Sequence, residues 1–518
     1  MENTMEYSPQ QAAWINWVKT GTGNALMRAR AGTGKTFTLI EGMPYMGGRV
    51  AYCVFNKKME MEARSKIENK GLRHIVAGTF HKFGYDALRQ AYPKAGKPTG
   101  LKILKLCDAM KVPELFHPFV RAAVSLAKQR GFGIGTGTIN NPADWINLVE
   151  HFDLDQTLGE GNFLDREELI REGLRWSCKV LKQSIMTTAE CIDFDDMIYM
   201  PLIDNLRMPS YDWVLVDEGQ DSNPVRRALA RKMLKPGGRA GFVGDDWQSI
   251  YGFTGADNDA LDQIARDFNT AEFPLTVTYR CQKVVVELAK EIVADYEAHE
   301  SAPEGEHIKT DLKGMYDAEL KPGDAILCRN TGPLVDVAFN LIRRGITCHV
   351  EGRDIGAGLI KIVARWPKIK TLSAFLDKLE KWQESEIEKF MTAGAEDKAD
   401  SLNDKVETIQ TLARMMPPGA TVANLAAKIE SMFADTPEGE RAPGVLLMTA
   451  HRSKGLEFPR VFLLGRNRYM PSRFARQAWQ MKQEKALEYV AITRAMETLV
   501  DVFIELPKPK KQEEEDEG

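Results

Sequence analysis

Short apolar, β-rich runs alternate along the chain with helix-like stretches, the pattern of a parallel sheet flanked by helices. The first set of strand-like runs is Asn24 to Ala29, Arg49 to Phe55, His74 to Thr79, Trp213 to Val216 and Ala240 to Gly244. A second set follows at Asp324 to Arg329, Thr347 to Gly352, Val445 to Ala450, Arg460 to Gly465 and Thr498 to Glu505. Two α/β cores are therefore expected. Each is interrupted by a polar, mostly helical stretch, and the Lys, Glu and Leu periodicity of Phe375 to Phe390 supports helix in the second. The predicted organisation is a first core from residues 1–85 and 191–270 with a helical insertion over 86–190. A second core from 271–353 and 443–506 follows, with an insertion over 354–442 and a charged tail over 507–518.

Composition changes this picture little. At 518 residues the chain is too long for one compact core and suits roughly three or four domains. Apolar residues make up 43% and charged residues 27%, an ordinary globular profile. No apolar run reaches the roughly 18 residues of a membrane span, and the first ten residues lack the apolar core of a signal peptide. A cytoplasmic or nucleoid-associated protein is expected. The seven cysteines are scattered without a CxxC pair, which supports neither a disulfide framework nor a zinc site and predicts buried thiols. Net charge is only -4, so any nucleic-acid path must come from local patches. The tail PKPKKQEEEDEG has no apolar content and is expected to be solvated and disordered, with protein docking or DNA mimicry as its functional alternative.

Chemistry enters at Ala29-Arg30-Ala31-Gly32-Thr33-Gly34-Lys35-Thr36, between an apolar strand and the apolar stretch Phe37 to Ile40. Small residues there let backbone N–H groups wrap phosphates at a helix N-terminus. Lys35 would reach the β- and γ-phosphates, and Thr36 would hold Mg2+. The partner segment is the apolar strand Trp213 to Val216, which delivers Asp217 and Glu218 at its C-terminal end. Asp217 would bind the magnesium ion, and Glu218 would orient and deprotonate the attacking water. Adjacent acids ending a buried strand are costly without such a role. The long separation of Lys35 from Asp217 independently supports an insertion between them.

Further segments complete a series: Gly244-Asp245-Asp246-Trp247-Gln248-Ser249-Ile250-Tyr251-Gly252, Thr278-Tyr279-Arg280, Thr449 to Phe458 and Tyr489 to Ala495. Together with the phosphate loop and Asp217 to Asp221, they resemble the UvrD/Rep-like helicases of superfamily 1, in order and across both cores. The resemblance implies two RecA-like P-loop NTPase cores that couple ATP hydrolysis to movement on single-stranded DNA, 3′ to 5′, with separation of tailed duplex. It identifies Gln11 as an adenine reader, Gln248 as the γ-phosphate sensor, Arg280 and Arg494 as the arginines that stabilise transition-state charge, Tyr279 as packing on adenine and Glu457 as touching the ribose. For the strand it implies Phe55, Asn56, Lys57, Thr79, Phe80, His81 and His451, with Tyr251 and Phe253 stacking on bases, while Phe80 could equally belong to the core and His81 be a capping or core histidine.

The sequence departs from its relatives in places. Phe37 follows Thr36 where many have Arg, Phe253 stands where Trp is common, and Thr254 where Arg is. The second insertion is short and no long region follows Glu505, a compactness that would fit a phage or mobile-element enzyme. Two rival readings are a translocase that strips proteins from single strands, and a nucleic-acid binding module with a degenerate ATP site.

Overall fold

The structure is a computed structural model that describes residues 7–135, 139–158, 165–250, 259–351, 353–392, 396–432, 444–473, 475 and 477–505. Tyr251, Phe253 and the tail from 507 onward lie outside these. The chain forms two compact units, the first running to Tyr279 and including Ile387–Lys398, the second made by the rest from Arg280 on.

Six parallel strands form the sheet of the first unit: β1 (Asn24–Ala29), β2 (Val50–Val54), β3 (Ile75–Thr79), β4 (Tyr211–Val216), β5 (Leu234–Gly244) and β6 (Thr270–Leu275). Their order is β3-β2-β4-β5-β1-β6. All five residues of β2 are buried, as expected of a parallel strand covered on both faces. The period of two divides the core into layers. Ala25, Met27 and Ala29 of β1 pack with Val50, Tyr52 and Val54 of β2 against Trp14, Ile15 and Val18. Leu26, Ala51 and Cys53 face the opposite layer, with Phe80 and Phe83. Each fully buried Val, Leu or Ile in these layers contributes roughly 1.5–3 kcal/mol.

Local chemistry starts each helix next to the sheet. Helix α1 (Pro9–Thr20) opens with a capping box between Ser8 and Gln11 and carries Pro9 in its first turn, where a missing N–H costs nothing. Helix α2 (Lys35–Gly42) follows the phosphate loop. Helix α3 (Lys57–Asn69) is capped by Asn56 and helix α4 (Phe80–Ala91) by Thr79. Among the described residues between α4 and β4 lie α5 (Lys102–Ala109), α6 (His117–Arg130), α7 (Pro142–His151), α8 (Arg166–Met186) and α9 (Asp196–Ile203). Helices α10 (Pro224–Met233) and α11 (Ala260–Phe268) complete the unit.

The second unit repeats the plan. Strands β7 (Glu306–Asp311), β8 (Ala325–Cys328), β9 (Cys348–Val350), β10 (Val445–Thr449), β11 (Phe458–Leu464) and β12 (Ala495–Phe503) form a parallel sheet in the order β9-β10-β8-β11-β12-β7. Helices occupy the chain between β9 and β10 over Arg353–Val363, Leu372–Thr392, Glu396–Arg414 and Val422–Met432. Two α/β cores with parallel sheets and helical insertions agree with the expected fold class. Strands β6 and β7 are absent from the runs marked by hydrophobicity. Both lie at sheet edges, where half or more of the residues face solvent. All seven cysteines are free thiols, four of them buried. Among the described residues, no helix is long and apolar enough to cross a membrane.

Candidate nucleotide site and strand-contact edge

The C-terminal edge of the first sheet gathers most of the predicted residues, which is where open α/β sheets place ligands. After β1 the loop Arg30 to Gly34 turns through two left-handed glycines, Gly32 at φ 69 and Gly34 at φ 83. Thr33 Oγ1 donates to the Arg30 carbonyl at 2.8 Å and steadies the turn. Ala31 is fully buried. No side chain caps Gly34 at the start of α2, so the first-turn N–H groups keep the character of an anion site.

Lys35 Nζ lies 3.3 Å from Glu218 Oε1. Thr36 Oγ1 donates to Asp217 Oδ2 at 3.2 Å, and the Tyr52 hydroxyl donates to the same oxygen at 2.8 Å. Burial, then the neighbouring Glu218, pushes the Asp217 pKa up. Burial opposes the charge of Lys35, yet Glu218, Asp245 and Asp217 together hold its pKa above the ordinary value. Glu218 sits at φ 52 and ψ 47, a left-handed conformation that costs a non-glycine residue roughly 1–3 kcal/mol and tends to mark functional sites. The Gln220 amide donates to Glu218 Oε2, and its oxygen accepts the Asp245 N–H at 3.0 Å.

Asp245, at the end of β5, is a further buried carboxylate whose pKa burial raises. Its Oδ2 accepts from the Gln248 amide at 2.7 Å, and its Oδ1 lies 3.6 Å from Arg30 Nη1. Gln248 is thus at the site, joined to Asp245. Three carboxylates, Asp217, Glu218 and Asp245, here face two cations, Lys35 and Arg30.

Around the loop, Gln11 is buried. Its oxygen accepts the Ser8 N–H at 3.1 Å, so the capping box uses the acceptor half of the amide. Its Nε2 stands so close to Gly34 that a Cβ there would approach it to 3.1 Å. Phe37 and Tyr7 form a tilted ring pair at 6.2 Å. The Tyr279 backbone N–H bonds the Gly32 carbonyl at 3.0 Å, while the side chain is among the exposed large apolar groups.

The strand candidates occupy the same edge. Phe55, Phe80, His81, Asp217, Glu218, Asp221 and Arg226 line one cleft. Asn56 Oδ1 accepts from Met59 N at 2.9 Å and Thr79 Oγ1 from Lys82 N at 3.1 Å, so both also serve as caps. Lys57 is exposed, 3.5 Å from Glu60. Phe80, at 6% exposure, belongs to the hydrophobic core, and its ring packs inward. His81 is half-buried, and burial followed by Arg226 lowers its pKa to about 4, which keeps it neutral.

In the second unit, Arg280 Nε lies 2.6 Å from Glu457 Oε2. Arg494 is buried at 1% exposure and donates to the carbonyls of Val490 and Leu456 at 3.0 and 2.8 Å. Burial, then Arg280, lowers its pKa to about 10. His451 is held neutral with a pKa of about 3 by burial and then Arg329. Sequence reasoning missed Tyr52, Arg30, Gln220, Asp245 and Arg226 as parts of these sites. Arg30, Gln220 and Asp245 lie inside the quoted motif segments and so carried a signal, whereas Tyr52 and Arg226 lie outside them.

Comparison with known proteins gives the family. Residues 9–269 match the UvrD/REP helicase N-terminal domain and residues 361–505 the UvrD-like helicase C-terminal domain. The ATP-dependent DNA helicase Rep of Salmonella typhimurium is 25% identical over 56% of this chain, which spans 44% of that protein's length. DNA helicase II of Haemophilus influenzae is 22% identical over 95% of the chain and 83% of its own length. The ATP-dependent DNA helicase PcrA of Bacillus subtilis is 21% identical over 93% and 81%. With its N-terminal family match reaching across half of the chain, the protein belongs to the UvrD/Rep-like helicases of superfamily 1.

Proposed function

We propose that this protein is an ATP-dependent DNA helicase that moves on single-stranded DNA, 3′ to 5′, and separates tailed duplex. The observation that carries this reading is the shared edge of the first sheet. Lys35, Thr36, Asp217 and Glu218 stand there beside Phe55 and His81, so a nucleotide and a strand would meet one set of loops.

In this reading the loop N–H groups from Ala31 to Thr36 and the Lys35 ammonium hold the phosphates. Gln11 and Tyr279 take the base and Glu457 the ribose. Glu218 accepts the proton of the attacking water. Gln248, tied to Asp245, reports on the γ-phosphate, and Arg280 and Arg494 stabilise the charge that develops during transfer. Asn56, Lys57, Thr79 and His81 meet the strand backbone, with Phe55, Tyr251 and Phe253 on its bases and His451 serving the same path.

The donor set fits magnesium. The Thr36 hydroxyl and the Asp217 carboxylate are adjacent hard oxygens, and burial and the neighbouring Glu218 raise the pKa of Asp217, so a cation there would favour its charged form. Magnesium is commonly held by one or two protein groups plus phosphates, so no dedicated acidic cage is needed. Bound there, it would neutralise charge on the β- and γ-phosphates.

Strand separation on duplexes with a 3′ tail, a 5′ tail or none tests the proposal. Separation with ATP on the 3′-tailed substrate alone is expected. Equal separation on both tails would overturn the polarity. Strand-dependent ATP hydrolysis that displaces a bound protein without separating duplex would show a translocase instead.

A further inference from the structure

Half-buried and buried cations of the first unit are nearly all matched by carboxylates. Arg28 pairs with Asp246, Asp262 and Glu272, Lys102 with Asp196, Lys128 with Asp193 and Asp196, and Arg227 with Asp267. Away from the site, Arg239 is saturated by three backbone carbonyls and Lys232 is held by Asn205 Oδ1 at 2.5 Å. Arg226 differs from all of these. Its guanidinium donates once, from Nη1 to the Asp221 carbonyl at 2.8 Å, and stands 5.2 Å from the centroid of the Phe55 ring. It forms no ion pair among the described residues. Asp221 and Asp195 act on it only electrostatically, and burial lowers its pKa. A guanidinium stays protonated under such a shift, so the charge persists without a partner.

This cation lines the cleft that holds Phe55, His81 and Glu218. The cleft has about 10 Å³ of free volume, room for roughly one water, so an anion would meet Arg226 at its rim. Arg226, Phe55 and His81 are each partly exposed, as such a rim requires. We infer that Arg226 is a further binding residue for the single strand, its guanidinium taking one phosphodiester beside the Phe55 ring. A guanidinium can offer two parallel N–H bonds to a phosphate while keeping its face on an aromatic ring. The bond to Asp221 also ties the strand to the turn that carries Glu218, because Asp221 ends the short helical turn Gly219–Asp221 that follows Glu218.

The inference rests on the proposed strand path and is tested apart from it. Affinity of a fluorescent oligothymidylate for the full chain is measured without nucleotide over a range of salt, for the wild type, Arg226→Gln, Arg226→Lys and Lys57→Gln. Loss of one phosphate contact lowers the slope of log affinity against log salt by about 0.7 for single strands. Arg226→Gln is expected to lose that slope and roughly tenfold in affinity. Arg226→Lys is expected to keep the slope and lose several-fold, since a point charge replaces a fork. Lys57→Gln is expected to lose a similar slope. A wild type that binds while Arg226→Gln keeps the full slope overturns the role of Arg226, whatever its affinity. Should Arg226→Gln not fold, an Arg226→Lys protein with wild-type affinity overturns it equally. A wild type that does not bind the strand overturns the strand path itself.

Discussion

Two clusters of buried charge in the first unit use the same residue types to opposite ends. Between the helices of the insertion, Lys128 binds Asp193 and Asp196 at 2.6 and 2.7 Å, and Lys102 binds Asp196 and the Ser184 carbonyl, each at 2.7 Å. Each lysine is tightly paired there, although burial pushes Asp193 and the adjacent Asp195 up. Burial works against Asp196, yet Lys128 and Lys102 outweigh it and hold its pKa below the ordinary value. The cluster at the end of β4 differs in its place and in its strain. Burial and the adjacent Glu218 push Asp217 up, three carboxylates face two cations, and Glu218 is held in a left-handed conformation. Buried charge by itself is therefore poor evidence of chemistry. A strained cluster at a sheet edge beside a phosphate loop is the informative one, because its carboxylates offer what a bound cation would need.

The sharpest break in the comparison comes from Glu218→Gln. Removing the proposed general base is expected to lower ATP turnover by roughly 10²–10⁴-fold. The thermal midpoint should hold or rise, because a like charge leaves the side of Asp217. A variant with normal turnover would remove Glu218 from the chemistry. Lys128→Met is the mirror image. Breaking one side of a buried pair is expected to cost about 3–5 kcal/mol in urea unfolding. A stability loss under about 1 kcal/mol would show that the insertion cluster does not hold its helices together.

How much of this contrast could be read beforehand differs between its two halves. The phosphate loop and the Asp217-Glu218 pair stand out because each breaks a local rule, small residues where a helix begins and acids where an apolar strand ends. β1 has the same bounds in sequence and structure for the same reason. Lys102 and Lys128 follow the polar spacing of solvated helices, and nothing local says that both turn inward. Tyr52 is one residue of a fully buried apolar strand, and only the pairing of β2 with β4 brings its hydroxyl to Asp217. Phe80 shows the reverse: a motif position whose ring belongs to the core. β6 and β7 were hidden because edge strands need little hydrophobicity.

Smaller changes refine the boundary between the two kinds of cluster. Tyr52→Phe removes one hydrogen bond from Asp217 and is expected to cost about 1 kcal/mol of stability, with a few-fold loss of turnover at most. A turnover loss as large as that of Glu218→Gln would give Tyr52 a role in the chemistry. A further effect is on the acid side. His81 has a folded pKa of about 4, below its ordinary 6.5, so the stability tied to its neutral form is present above pH 6.5 and lost as pH falls toward 4. Asp195, raised to about 6 by burial and then Asp193, acts with the opposite sign: its contribution is present below about 3.8 and lost as pH rises through 6. His81→Gln should flatten the melting-temperature profile between pH 6.5 and 4, and an unchanged profile would place the acid sensitivity elsewhere.

ATP turnover of the full chain with magnesium, titrated with a single-stranded oligonucleotide, bears most directly on the claim that the strained cluster at the end of β4 drives movement along a strand. Turnover should rise to saturation as the strand is added, and Lys35→Ala should abolish it at every strand concentration. Turnover indifferent to the strand, or surviving in Lys35→Ala, would contradict the claim.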